Sequence, residues 1–265
     1  MPRLEDLPQQ IVPHVRMLID VATRQKSARS LGKICHEMAA HYRALGICLL
    51  LTEMEVDGFF HWLIQSALTR KYYLDRSAAE NVLDDFQRRA SVTGPFFDAI
   101  AAGQWKLARH IAALSPTTWW KGHEYEDDFA YAFFLHTFIR KDPADAPALQ
   151  GTLARYEQVL EGQSDPRLDV CKALYSKDQD SFLEAFSTLI GEYERTMKKL
   201  QATRDYDYTY EPNRHVMVEG LALLKLAESV GFETEAEYPL CPSVARHTAY
   251  APFKPLGFPD LPLEP

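Results

Sequence analysis

The segment from Ser181 to about Arg204 constrains the fold most. Phe182, Ala185, Phe186, Leu189, Ile190, Tyr193, Met197 and Leu200 recur at steps of three and four, while Glu184, Glu192, Glu194, Lys198 and Lys199 take the opposite side. This is the pattern of one long helix with a single apolar stripe. Such a stripe has to be buried against another element. What the rest of the chain offers as a partner is more helix.

Stripes of the same period fall over Leu7–Gln25 (Ile11, Val15, Leu18, Ile19, Ala22), with Pro13 expected in the first turn, and over Ala28–Leu45 (Leu31, Ile34, Cys35, Met38, Tyr42). An aromatic-rich helix is predicted over Val56–Leu74. A separate helix follows over Asp75–Arg89, with Ser77 as N-cap and Glu80 closing a capping box. Phe96–Ala102, Gly103 and Gln104–Leu114 read as a helical hairpin on a glycine turn. Further helices are predicted over Leu149–Leu160 and Leu168–Tyr175, with breaks at Asp142–Pro147 and Gly162–Pro166. Arg204–Tyr210 alternates aromatic and polar residues and is expected to be an extended loop. Over Tyr210–Pro242, Pro212 suits a first helical turn, and Val216, Gly220, Leu223, Leu224, Ala227 and Val230 form one stripe. Gly231 is the expected C-cap, with Phe232 folding back. An acidic arm follows (Glu233, Glu235, Glu237), then a proline-rich, irregular tail over 239–265.

The expected fold is therefore all-α: an irregular α-α hairpin bundle or solenoid-like array of about ten helices in one domain, 1–265. Asp142–Pro147 is the best place for a subdivision. Helical pairs recur without a fixed period, which weighs against a regular repeat array.

Composition narrows the function classes. The net charge of −8 disfavours nucleic acid and anionic membranes as partners and suits a basic one. Only 12 glycines argue against a turn-rich all-β fold and against glycine-cradled phosphate sites. No apolar run follows a basic start, so no signal peptide is read at the N-terminus, and Leu45–Leu51 is too short to cross a bilayer. Cys35, Cys48, Cys171 and Cys241 are scattered without a C-x-x-C pair, as expected of buried free thiols in a reducing compartment. His36 and His41 lie five residues apart on one helix, a poor spacing for shared metal ligands. No metal, cofactor or catalytic residue is expected. G-x-G-x-x-G, P-loop, G-x-S-x-G and H-E-x-x-H patterns are all missing. Cys241 between two prolines reads as a packing thiol.

The sharpest local feature is Trp119-Trp120-Lys121-Gly122-His123-Glu124-Tyr125-Glu126-Asp127-Asp128, two tryptophans before an acidic helix start. Acids there, with Arg140-Lys141 at the other end, match the helix dipole. The same residues can also present an acidic, aromatic-edged surface to a basic partner.

Three blocks carry a resemblance to a known family. They are Tyr125–Phe129 running on through Leu135 and Phe138; Ala173-Leu174-Tyr175 with Asp178–Phe186; and Glu219–Ala227 with Val230-Gly231-Phe232 and Glu237-Tyr238-Pro239-Leu240. Together they resemble the immunity protein 49 family of bacteria over the C-terminal half to two thirds of the chain. The N-terminal third is similar only in being helical. The resemblance implies a cytoplasmic protein that protects a bacterium from polymorphic toxins, including those delivered by contact-dependent or type VI secretion. It would bind and occlude a cognate toxin and do no chemistry itself.

The expected contact region is Trp119, Trp120, Glu124, Glu126, Asp127 and Asp128, with Glu233, Glu235 and Glu237 on the arm as further contacts. A basic toxin suits these acids. Two other readings stay open: a helical enzyme with a site around His123, Glu124, Asp127 and Asp128, and a helical scaffold for some other protein. A homodimer also stays open.

Overall fold

The computed structural model describes residues 3–203, 208–246, 251 and 253. Among them are eleven α-helices and no strand. They are α1 (Leu7–Thr23), α2 (Ala28–Glu53), α3 (Val56–Ala79), α4 (Gly94–Ala101), α5 (Trp105–Leu114), α6 (Glu126–Phe138), α7 (Ala146–Leu160), α8 (Pro166–Ser176), α9 (Gln179–Thr203), the single-turn α10 (Tyr210–Asn213) and α11 (Val218–Ser229). Successive helices pack on one another, most extensively α2 on α3, α8 on α9 and α6 on α7. One contiguous apolar cluster runs through them from Leu7 to Ala245.

The middle of this arrangement is the short helix α4. Pro95 through Ala101 are all buried. The helix touches α3, α5, α2 and, from the far end of the chain, α11. Both α4 and α11 are buried nearly all round. The only ionisable side chain on α4, Asp98, is fully buried. It accepts from Arg43 Nε of α2 at 2.7 Å and from Ser66 Oγ of α3 at 2.5 Å. One carboxylate thereby ties three helices together. Burial pushes its pKa up, and Arg43 and Ser66 counter this by favouring the charged form.

Several sequence expectations move. Pro8 occupies the first turn of α1 and Pro13 lies inside it. α2 continues through the apolar run to Glu53. Ser77 and Glu80 do not open a new helix, because α3 runs on through Ser77 to Ala79. Glu80 accepts from the Ala28 N–H at 2.7 Å and so caps the start of α2 instead. The following segment is irregular, with a 3-10 turn at Phe86–Arg88. Buried Arg70 fixes it by donating to the Gln87, Arg88 and Arg89 carbonyls, and Arg88 donates to the Leu114 carbonyl at 3.0 Å. These acceptors are neutral, and burial lowers the Arg70 pKa to about 10.

The Gly103 turn between α4 and α5 has φ +70°. Over 142–147 the chain makes a 3-10 turn at Pro143–Asp145 and leads straight into α7, which packs on α6. Arg204–Asp207 of the expected loop and residues 247–250, 252 and 254–265 of the expected tail lie outside the described residues.

Over the Tyr210–Pro242 stretch the helix is interrupted. Pro212 belongs to α10, and α11 starts only at Val218. The interruption is held by the arm folding back, since Met217 N–H donates to the Leu240 carbonyl at 2.9 Å. Gly231 does close the helix, with φ +98°, and the Phe232 N–H reaches the Ala227 carbonyl at 3.1 Å. The Phe232 ring then packs on Phe182 of α9, 5.6 Å between centroids. All four cysteines are free and buried. Burial raises the Cys241 thiol to about 12, which suits a packing thiol and not a nucleophile.

Cys241 also explains Gly220. A Cβ added at Gly220 would stand 2.6 Å from Cys241 Sγ and 3.3 Å from Met217 Sδ. Gly220→Ala is expected to lower the unfolding free energy by about 1–3 kcal/mol through overpacking. Adding Cys241→Ala should recover much of that loss in a double-mutant cycle followed by denaturant titration. Independent, additive effects would show that this contact is not what excludes a side chain at Gly220.

Candidate functional site

The double tryptophan and the acidic helix start lie on the loop between α5 and α6 and on the first turn of α6. Gly122, at φ +84°, makes the turn. Glu124 organises the loop. Its carboxylate accepts from the Ser91 N–H at 3.0 Å and from the Trp120 N–H at 3.4 Å, and its carbonyl accepts from Trp119 Nε1 at 3.1 Å. The Trp120 ring stacks on His123 with centroids 4.0 Å apart, and Phe86 lies 6.1 Å beyond. Arg89 sits over Phe86 at 3.9 Å. Next to this held loop, Tyr125 projects into solvent with 78% of its surface exposed.

The three acids of the first turn of α6 are engaged from behind by arginines. Arg155 of α7 donates from Nε to Glu126 at 2.6 Å. Arg167 of α8 donates to Asp128 at 2.7 Å, to Asp127 at 3.2 Å and to Asp165 at 2.8 Å. Asp165 also caps α8 through the Arg167 N–H at 2.9 Å and accepts from Tyr156 OH at 2.6 Å. The Arg167 guanidinium lies 5.4 Å from the Tyr131 ring, and Tyr131 OH donates to Glu219 of α11 at 2.7 Å. Burial raises the Glu219 carboxyl against the pull of Tyr131, Arg167 and Arg43. The acids of α6 thus belong to a clasp joining α6, α7, α8 and α11. Sequence reading missed Arg167 as its centre. The available signal was Asp165-Pro166, an N-cap followed by proline at the first helical position.

The structure brings Trp119, Trp120 and Glu124 together, and sets Glu126, Asp127 and Asp128 behind them on Arg155 and Arg167. Glu233, Glu235 and Glu237 form a second group on the arm after α11, and all three are exposed. The Glu233 N–H donates to Gln179 Oε1 at 2.7 Å and the Glu235 N–H to Tyr238 OH at 2.9 Å. Glu237 accepts from the Ser243 N–H at 3.0 Å. Arg246 straps the arm through the Glu235 and Ala236 carbonyls and Glu228.

The set His123, Glu124, Asp127 and Asp128 does not converge on one point. His123 is stacked on Trp120, Glu124 serves backbone N–H groups, and the two aspartates share Arg167. Clefts of about 450 and 480 Å³ are lined by other residues, among them Trp105, Arg109 and Lys225 in the first and Phe138, Leu149 and Lys177 in the second.

The clasp has a pH signature. Burial alone would raise the Asp165 pKa, but Arg167 and Tyr156 hold it below its ordinary 3.8. A depressed carboxyl contributes stability that is present above the unfolded pKa and is lost as pH falls through the folded one. Asp165→Asn is expected to cost about 2 kcal/mol at neutral pH. Between pH 5 and pH 2 the wild type should lose stability more steeply than the variant, as read by urea midpoints at each pH. Parallel curves would remove Asp165 from the acid response.

A comparison with protein-family models matches residues 51–245 to the family described as Immunity protein 49. No curated protein and no solved structure matches the chain. The matched span covers about three quarters of the sequence and begins near the end of α2, further toward the N-terminus than the resembling blocks reach. It includes both the α5–α6 loop and the arm after α11. The chain belongs to the immunity protein 49 family.

Proposed function

We propose that this chain binds a cognate protein toxin in the bacterial cytoplasm and neutralises it by occlusion, without catalysis. The observation that carries the reading is the exposed Tyr125 beside a loop that Glu124 ties down by hydrogen bonds. A backbone already held in place has less conformational entropy to lose on binding, and tyrosine combines apolar area with a polar tip. Such residues are the usual anchors of protein interfaces. Trp119, Trp120 and the carboxylate of Glu124 back this anchor, with Glu126, Asp127 and Asp128 behind them.

The toxin this surface suits is basic. The net charge of −8 favours encounter with a cationic protein. Steering falls chiefly to Glu233, Glu235 and Glu237, because the acids of α6 already face Arg155 and Arg167. The same pairing bears on the enzyme reading. Carboxylates committed to arginines on a helix end are poor general bases. A toxin secreted through a type VI or contact-dependent system, encoded beside its immunity gene, fits this role.

The test is co-expression with the product of the neighbouring gene. The wild type is expected to restore growth and to co-purify with that product. Tyr125→Ala should weaken the complex at least about tenfold. Lysine at Glu233, Glu235 and Glu237 together should slow association several-fold and flatten its dependence on salt. Failure both to rescue growth and to co-purify would refute toxin binding. Wild-type affinity in Tyr125→Ala would move the contact surface elsewhere.

A further inference from the structure

His14, Glu37 and His41 meet between α1 and α2. One ring nitrogen of each histidine and one carboxylate oxygen of Glu37 lie within 4.8 Å of one another. Glu37 and His41 are four residues apart on α2 and so share a face. α1 brings His14 across, and its Nε2 lies 2.8 Å from Glu37 Oε1. The two imidazole rings are 4.9 Å apart between centroids. The pairing that sequence spacing considered, His36 with His41, is not the one that forms. His36 lines a separate cleft of about 160 Å³ with Arg43 and Arg89.

We propose that His14, Glu37 and His41 form a site for one divalent transition-metal ion, with zinc the best fit. The tautomer of His41 is the first support. Its Nδ1 lies 2.7 Å from the Glu37 carbonyl oxygen, which can only accept, so Nδ1 carries a proton and, in the neutral ring, Nε2 is the bare nitrogen. A ring N–H held by a backbone carbonyl is the usual outer contact of a metal-binding histidine. The donor set is the second. Two imidazoles and one carboxylate are the ligands of an open zinc site, whose fourth position takes water. Exposure is the third. His41 is only 5% exposed and forms a dry floor. The His14 and Glu37 side chains are 29% and 37% exposed, which leaves an entry route and room for water.

The distances are those of a metal-free site. Zinc bonds of about 2.0–2.2 Å in a tetrahedron set neighbouring ligand atoms about 3.3–3.5 Å apart. The His14–Glu37 hydrogen bond would open slightly and His41 would draw in, movements that side-chain torsions supply. The ion takes the place of the proton between His14 and Glu37, which is released to water. It would cross-link α1 to α2. All three ligands precede residue 51 and lie outside the span matched by the family model.

The experiment uses the full chain stripped with EDTA and titrated with zinc chloride by calorimetry, and with cobalt chloride by visible absorption. The expected result is one equivalent bound with a Kd on the order of 1 μM or tighter, and cobalt bands of four- or five-coordinate intensity. Saturating zinc should raise Tm by roughly 5 °C or more. His14→Ala and Glu37→Gln, both at partly exposed positions, should weaken binding at least about tenfold and remove the Tm shift while keeping the wild-type circular dichroism spectrum. His110→Ala on α5 should bind as the wild type does. Absence of stoichiometric binding to the wild type, or undiminished binding by both ligand variants, would overturn the site and leave only the His14–Glu37 hydrogen bond.

Discussion

The interaction on which the rest of the structure depends is the one between Asp98 and its two donors. α4 lies buried among α2, α3, α5 and α11, and its one charge has no access to water. A carboxylate in that position is tolerated only when it is paired and hydrogen-bonded. Arg43 and Ser66 meet the requirement from two different helices. A buried carboxylate that must meet a guanidinium and a hydroxyl adds a directional requirement to apolar packing. The pair therefore fixes how α2, α3 and α4 register, and α11 packs on the result.

Arginine makes the other long-range joints as well. Arg70 and Arg88 hold the segment before α4 by its carbonyls, and Arg167 gathers acids from α6 and from the cap of α8. The planar, many-donor guanidinium suits these roles, since it can serve several oxygens at once. This changes how the acidic start of α6 is understood. Its charges contribute to the joint between helices. The aromatic loop and the separate acidic arm lie outside that joint.

Local periodicity made much of the fold readable. α1, α5 and α9 are half-buried helices, so their stripes appear directly in the residue order. Gly231 ends α11 as expected because a left-handed C-cap is a local backbone requirement. Two of the errors share one cause. Ser77 with Glu80 has the spacing of a capping box, yet Glu80 spends its carboxylate on the first turn of α2, fifty-two residues away in sequence. Pro212 looked like the start of a long helix, but the arm at Leu240 takes the Met217 N–H and divides it. In each case a distant partner competed for a group that local rules had already assigned.

The candidate sites divide in the same way. The aromatic-acidic loop was legible because its residues are neighbours in the chain. Arg167 as the hub of the clasp and His14 as the partner of Glu37 and His41 were not, since each meets residues twenty-three or more positions away. The sequence by itself determined an all-α chain, the place of most helices, and the family. Helix formation and stripe burial depend on residues within a few positions of each other. Only the tertiary structure decided which charges are spent inside the fold and which histidines meet. Those outcomes depend on desolvation and on contact between segments far apart in the chain.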